Sequence, residues 1–546
     1  MLGTMQDFPL TIGMLFRHGA TVHGDSVVVT LEGDHRRSAT FTEVADRATR
    51  LAAGLTNLGV GAGDRVATFG WNTQEHLEAY LAVPTMGSVL HTLNIRLFPE
   101  QLTYIVEHAD DRVVIVDDSL IPLLAKVAGD LPTVERYIVV GDGDDAALAE
   151  ASPQAEIMRY EQLLEDGGNT FTWPEIDERT AAAMCYTSGT TGNPKGVVYT
   201  HRSAFLHSLA LCSAGCLGIT EHDRVLPVVP MFHANAWGLP YTSWMTGADL
   251  LMPGRYLQAE PLAGLIAAER ATVAGAVPSI WSDLLRFADS NPAAVDFSSL
   301  RLVPCGGSAV PQALMEGFRD RFGVEILQAW GMTETSPVAA VACAPKGANP
   351  DDPDAMEWRT RAGRALPGVE LRIMGDDGPV AWDDETVGEL EARGPWVTGA
   401  YYRDSSSDKF DDGWLRTGDI GAMDARGYVR ITDRSKDVIK SGGEWISSVE
   451  LENHLMAHPS VAEASVIGVP DPRWEERPLA CVVVVEGADP DANELRAFLA
   501  ERVAKWQLPE RWTFIDEVPK TSVGKFDKKA LRARHEAGQL EIVEVA

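Results

Sequence analysis

The sequence predicts an α/β protein: a large N-terminal domain of stacked βα-type sheets with a small β-rich subdomain, followed by an α+β C-terminal cap. Three observations lead there. The chain has 546 residues, more than one core holds, so several domains are expected. From Asp64 short apolar runs alternate with helical stretches, the pattern of a parallel sheet with crossover helices. Near Gly347 the text turns to Gly, Pro, Asp and short strands. After Tyr428 a unit of roughly 110 residues begins, large enough to fold alone.

Each element follows in order. "DRVATFG" (64–70) reads as a strand. "NTQEHLEAYLAVPTMG" (72–87) reads as a helix with Asn72 or Thr73 as cap and a glycine stop. "SVLHTL" (88–93) is a strand, and "FPEQLTYIVEHA" (98–109) a helix with Pro99 near its start. "DRVVIVDD" (111–118) is again a strand. Beyond a Gly/Thr-rich loop come the strands "DRVLPVVPMF" and "ATVAGAVP", then the helix "SIWSDLLRFA". The strand "LRLVPCGG", the helix "PQALMEGFRDRF" and the strand "VEILQAW" follow. "VELRIMG" and "GELEARG" are strands of the β-rich part. In the cap, "SSVELENHL" opens on a capping box, Ser447 three before Glu450. The helix "ANELRAFLAERVA" starts from Asp491 with Glu494 three later. "VAEASVIGV", "LACVVVVEG" and "RWTFIDEV" are strands, and "KKALRARHEA" is the last helix.

Apolar residues make up 45% and charged residues 23%, an ordinary globular composition. The net charge of −32 argues against a nucleic-acid partner, which needs a basic surface. The N-terminus lacks a basic leader, and no apolar run reaches the roughly eighteen residues of a membrane span. Six scattered cysteines then read as reduced thiols of a cytoplasmic protein. His201, His207, Cys212 and Cys216 lie near one another, but zinc prefers tight Cys-x2-Cys pairs, so the cysteines read as small core residues.

The stretch "YTSGTTGNPKGV" (186–197) carries the chemistry. It departs from the P-loop pattern, because Pro194 precedes Lys195 and Gly196 follows it. Hydroxyls and glycines at Thr187, Ser188, Gly189, Thr190, Thr191 and Gly192 can still cradle an anion with backbone N–H groups. Six further motifs follow it: "PMFHANAWG" (230–238), "CGGSAVP" (305–311), "QAWGMTETSP" (328–337), "WLRTGDIG" (414–421), "DRSKDVIKSGGEWIS" (433–447) and "PKTSVGKFDK" (519–528). In this order they resemble the AMP-forming adenylating enzymes: acyl-CoA synthetases, peptide-synthetase adenylation domains and luciferases. Among these the chain looks most like the short- and medium-chain acyl-CoA synthetases, the group acting on 3-methylmercaptopropionate included.

The resemblance implies an adenylating domain over 1–434 and a mobile cap over 435–546. It implies ATP, Mg2+ and CoA, a small carboxylic acid as partner, and a homodimer. ATP or AMP would meet the 187–192 loop, Lys195, Gly306, Gly307, Ser308, Gln328, Ala329, Trp330, Gly331, Met332, Thr333, Asp419, Ile431 and Arg434. Mg2+ would be held by Thr190 and Glu334. Lys525, His233 and Glu334 would be catalytic, Lys525 meeting the carboxylate and α-phosphate. Trp237, Gly307, Gly331 and Pro337 would line the acyl pocket. After the cap turns about Lys436, His233 with Lys440, Ser441, Gly442, Gly443, Glu444 and Trp445 would line the CoA tunnel. Amino-acid adenylating relatives place an aspartate where "MFHANAW" has none, and a buried ammonium without a counter-charge is costly. An amino-acid or aryl-acid adenylating enzyme, or a non-catalytic nucleotide or acyl-CoA binder, stays open.

Overall fold

The alternating run that begins at Asp64 forms a seven-stranded sheet, ordered Glu156–Arg159, Arg136–Val140, Asp111–Asp117, Arg65–Phe69, Val89–Thr92, Ala181–Tyr186 and Gly196–Thr200. The first six strands run parallel, and the last pair is antiparallel. This computed structural model describes residues 1, 3–187, 193–349, 355–375, 377–404, 408–434, 436–441, 444–521 and 526–545, with 444 and 445 as backbone.

The helix Gln74–Thr85 is buried along its whole length. Of its two candidate caps, Thr73 is the one used: its hydroxyl accepts the His76 N–H. Asn72 instead ties the helix start to a distant loop. Its amide donates to the Pro227 and Val229 carbonyls at 2.7 and 2.9 Å, and its oxygen accepts the Met231 N–H at 2.7 Å. A charged residue inside so buried a helix needs partners. Glu78 has three: Arg47, Gln74 and the Tyr160 hydroxyl, each at 2.7 Å.

A second sheet runs Val273–Gly275, Arg224–Pro227, Asp249–Met252, Val27–Glu32 and His35–Thr40. Its last two strands are a hairpin turning at Gly33, where φ is +66°. The alternation from Asp64 gave no sign of this hairpin, because its parallel partner Asp249–Met252 lies far along the chain. A third sheet, Val303–Cys305, Ile326–Gly331, Val338–Val341 and Arg364–Ala365, continues from the second through bridges at Val273–Leu302 and Ala276–Cys305.

The β-rich part is an antiparallel sheet centred on Glu370–Gly375, Gly388–Arg393 and the long strand Trp414–Met423, which also pairs with Val429–Arg434. That sheet's last strand ends at Arg434, and the cap's first strand starts at Ile439. The cap packs the helices Ser448–Met456, Ala492–Ala500 and Lys528–Glu536 on its own sheet, over its own apolar core. Ser447 and Asp491 cap the first two helices as expected. Among the described residues, no helix is long and apolar enough to cross a membrane.

Candidate active site

Loops that flank strands of the first two sheets, the third sheet, the β-rich sheet and the cap border one cavity of about 520 Å³. Its described wall carries five cationic side chains, Lys195, Lys409, Arg416, Arg434 and Lys436, against two carboxylates, Glu334 and Asp437. Three of the five are ion-paired behind the wall, Lys195 with Asp404, Arg416 with Glu389 and Arg434 with Asp419. A concave site lined by cationic side chains can still draw in anions.

The Gly/Thr loop approaches from one side. Residues 188–192, on which five of the expected phosphate contacts fall, lie outside the described residues. Their flanks close on each other: the Thr187 N–H donates to the Lys195 carbonyl at 2.9 Å, and the Lys195 N–H to Thr187 Oγ1 at 3.2 Å. Thr187, Asn193 and Lys195 line the cavity. The Lys195 ammonium sits 2.9 Å from Asp404 and 4.7 Å over the Tyr401 ring.

The strand Ile326–Gly331 delivers the next group. Gly331 is required, because any Cβ there would collide with the Pro337 carbonyl. The chain then turns through 332–337, past a cis Ser336–Pro337 peptide. Two tyrosines hold the Thr333–Glu334 pair. Tyr199 donates to the Thr333 carbonyl at 2.8 Å, and Tyr401 donates to Glu334 Oε1 at 2.7 Å. Glu334 is buried yet lines the cavity. A single oriented carboxylate among cations fits magnesium, which takes one or two carboxylates and completes its shell with phosphate and water. Among the described residues no group of three His, Cys, Asp or Glu converges.

Ala329, Trp330, Gly306 and Gly307 form the neighbouring wall. Gly306 lies so close to the Ala329 carbonyl that a Cβ would stand 2.6 Å from it. Trp330 donates its indole N–H to Asp419 at 2.8 Å, and Arg434 pairs with the other oxygen of that carboxylate at 2.6 Å. Asp419 therefore stands behind Trp330 rather than on the wall. Three further expected contacts stay off the cavity. Gln328 spends its amide on the Val310 N–H and the Thr360 carbonyl. Ile431 packs against the main core. Ser308 points into solvent.

An apolar part of the lining is formed by Ala234, Trp237, Gly307, Gly331, Pro337 and Val338. Ala234, Asn235, Ala236 and Trp237 all have positive φ, 43°, 52°, 48° and 57°, and Gly238 follows at 76°. Left-handed backbone costs about 1–2 kcal/mol per non-glycine residue, so the surroundings must hold this turn. Tyr80 donates to the Met231 carbonyl and, at 3.2 Å, to Asn235 Oδ1. His233 enters the turn and lines the cavity beside Ala234.

From the cap, Lys436, Asp437, Thr521 and Phe526 reach the wall. Burial lowers the Lys436 pKa, and Asp437 works against that shift. Asp437 pairs with Arg532 at 2.7 Å. Lys525 lies outside the described residues. Its described neighbours on either side of 522–525, Thr521 and Phe526, both face the cavity, and Lys520 pairs with Phe526 in an antiparallel bridge. Lys440 and Ser441 are away from the cavity, where Ser441 accepts Arg477 at 2.9 Å. Gly442, Gly443 and the side chains of Glu444 and Trp445 are outside the described residues.

Sequence reading missed Tyr199, Tyr401, Lys409 and Arg416. The first two are lone tyrosines with no local pattern. Lys409 lies outside every quoted motif, and Arg416 stands inside one, "WLRTGDIG", without having been singled out.

Known proteins match this architecture. The family model for AMP-binding enzymes matches residues 16–402, and that for the AMP-binding enzyme C-terminal domain matches 450–525. The chain is 45% identical to a 3-methylmercaptopropionyl-CoA ligase of Ruegeria pomeroyi over 537 residues, covering 97% of this chain and 98% of that one. It is 42% identical to a medium-chain-fatty-acid–CoA ligase of Ectopseudomonas oleovorans, with 98% of each chain covered. The solved structure of an anthranilate CoA ligase with anthranoyl-AMP superposes with a TM-score of 0.87 at 26% identity, over 98% of this chain and all of that one. Fold, ordered motifs and a cation-lined cavity agree with these matches: the chain belongs to the family of AMP-binding enzymes.

Proposed function

We propose that this enzyme joins a short- or medium-chain carboxylic acid to CoA in two steps. The acid attacks the α-phosphorus of ATP to give acyl-adenylate and pyrophosphate, and the CoA thiol then displaces AMP. The observation that carries this reading is the cavity, whose lining joins five cations and a set of apolar residues and draws on both the N-terminal part and the cap.

The acid needs no general base, since a carboxylate with a pKa near about 4 is already ionised at neutral pH. Repulsion between anions is the obstacle, so positioning and charge neutralisation must do the work. Lys195 and the 187–192 loop would hold the phosphates that leave as pyrophosphate. Thr333 would meet the α-phosphate. Glu334, fixed by Tyr401, would hold Mg2+, which would supply positive charge against the phosphates. Trp330, Gly306 and Gly307 would pack on adenine. Asp419, behind that wall, would orient Trp330 and Arg434 around the nucleotide. Lys525 would complete the charge around the reacting carboxylate.

For the second step the cap over 435–546 would turn at Lys436 relative to 1–434, removing Lys525 and bringing 440–445 toward His233. A thiol with a pKa near about 8.5 supplies enough thiolate to attack an adenylate. The stretch His233–Trp237 carries no carboxylate, which disfavours an α-amino acid. The Trp237 indole limits depth. 3-Methylmercaptopropionate, named for one relative, and medium-chain acids, named for another, fit that range, and 3-methylmercaptopropionate is the acid we assign.

Pyrophosphate release and AMP formation, measured over acids of two to ten carbons and 3-methylmercaptopropionate with and without CoA, test this. CoA-dependent AMP formation within that set is expected. Turnover only with amino or aryl acids, or none with any acid, would refute it.

A further inference from the structure

The apolar part of the cavity lining draws on two irregular pieces of chain: the left-handed turn that carries Trp237, and the Pro337–Val338 segment after the cis peptide. One buried side chain touches both. His207, on the helix His201–Cys212, is only 1% exposed. Its Nε2 accepts the Val338 N–H at 3.1 Å. The other edge of the ring lies against Gly238, so closely that a Cβ there would stand 2.7 Å from Nδ1 and 2.8 Å from Cε1. Trp396 completes the seat: it meets the imidazole edge-on at 6.1 Å and donates its indole N–H to the Val338 carbonyl at 3.1 Å. Val338 is thus fixed through both its N–H and its C=O. Burial keeps the imidazole neutral, with its pKa pushed down to about 3, so Nε2 remains an acceptor.

We propose that His207 is a specificity-determining positioning residue that sets the separation of Trp237 from Pro337–Val338, and so the largest acid the enzyme accepts. This rests on the reading that the apolar part of the lining takes the acyl group. The ring does not face the cavity; it acts as a spacer of fixed thickness behind both walls. Interiors are close-packed, so removing a spacer lets the turn recede. Adding bulk to its contact pushes the turn the other way, into the pocket. Glycine at 238 leaves room for the ring, and its φ of +76° continues the left-handed turn.

The test is kcat/KM over straight-chain acids of two to ten carbons, with ATP and CoA saturating, for the unmodified enzyme and three variants. His207→Ala should move the preferred acid to a longer one, raising the long-to-short preference about tenfold or more, the worth of a methylene in an apolar pocket. Its KM for ATP should change less than about twofold on the same scale. His207→Gln can still offer an acceptor to Val338 and should keep the original preference. Gly238→Ala should shift the preference toward shorter acids, and it decides the matter if His207→Ala does not fold. An equal fall for every acid, with the preference unmoved in both His207→Ala and Gly238→Ala, would overturn the role of His207. Absence of turnover by the unmodified enzyme with any acid would overturn the ligase reading, and this inference with it.

Discussion

The indole N–H of Trp330 and a carboxylate oxygen of Asp419 lie 2.8 Å apart. Arg434 takes the second oxygen at 2.6 Å. One buried carboxylate therefore orients a wall of the cavity and also Arg434, the last residue of the strand Val429–Arg434. Asp419→Asn preserves size but turns one acceptor into a donor, so one of the two partners loses its bond. A hydrogen bond to a charged group contributes about 1.5–3 kcal/mol, roughly 10- to 150-fold in an equilibrium. The expected result is a loss of that order in kcat/KM for ATP, carried by KM, with the acid KM little changed. Steady-state kinetics with each substrate varied in turn check it.

Tyr401 links two groups that the phosphates should need together, with its hydroxyl on Glu334 and its ring under Lys195. Tyr401→Phe keeps the ring and removes the hydroxyl. Loss of such an orienting bond costs about 10–100-fold in metal affinity. The metal concentration for half-maximal rate should rise by about that factor, and Mn2+ binding in the presence of ATP, followed by electron paramagnetic resonance, should weaken in step. Unchanged Mn2+ affinity would show that Glu334 does not need Tyr401.

Three buried histidines should make the fold acid-sensitive. Burial lowers the pKa of His76 to about 4, His201 to about 4 and His207 to about 3. Each folded value lies below the unfolded value near about 6.5, so the unfolded chain binds more protons. The stability they contribute is present above that value and drains as pH falls toward the folded pKa. Glu78 opposes them, since burial raises it to about 7. Asp111, Asp117 and Glu452, also raised by burial, oppose them too, while His108 and His454, also lowered, add to them. Urea denaturation from pH 6.5 to 4.5 should show stability falling as the pH falls. A flat profile would contradict it.

Most of the site's alphabet was legible, because the glycines, hydroxyls and charges stand in contiguous motifs. Trp330, Thr333, Glu334, His233 and Trp237 all reach one cavity. What reading could not find depends on distance along the chain. Tyr401 reaches Glu334 across 67 residues, and Tyr199 reaches Thr333 across 134. Gln328 sits in the right motif, but tertiary partners consume its amide. Local periodicity placed the helix at Gln74, yet could not choose between Asn72 and Thr73, because the task Asn72 performs lies at residues 227–231. The hairpin Val27–Thr40 was missed for the same reason: its sheet is completed by strands some 200 residues later.

The division of labour between the two half-reactions is the core of the account, and Lys525 is where it can be cut. The decisive measurement is each half-reaction of Lys525→Ala taken separately: pyrophosphate release from acid and ATP, and CoA thioester formation from supplied acyl-adenylate. The account predicts that the first is abolished while the second continues near the unmodified rate. Equal loss of both would contradict it.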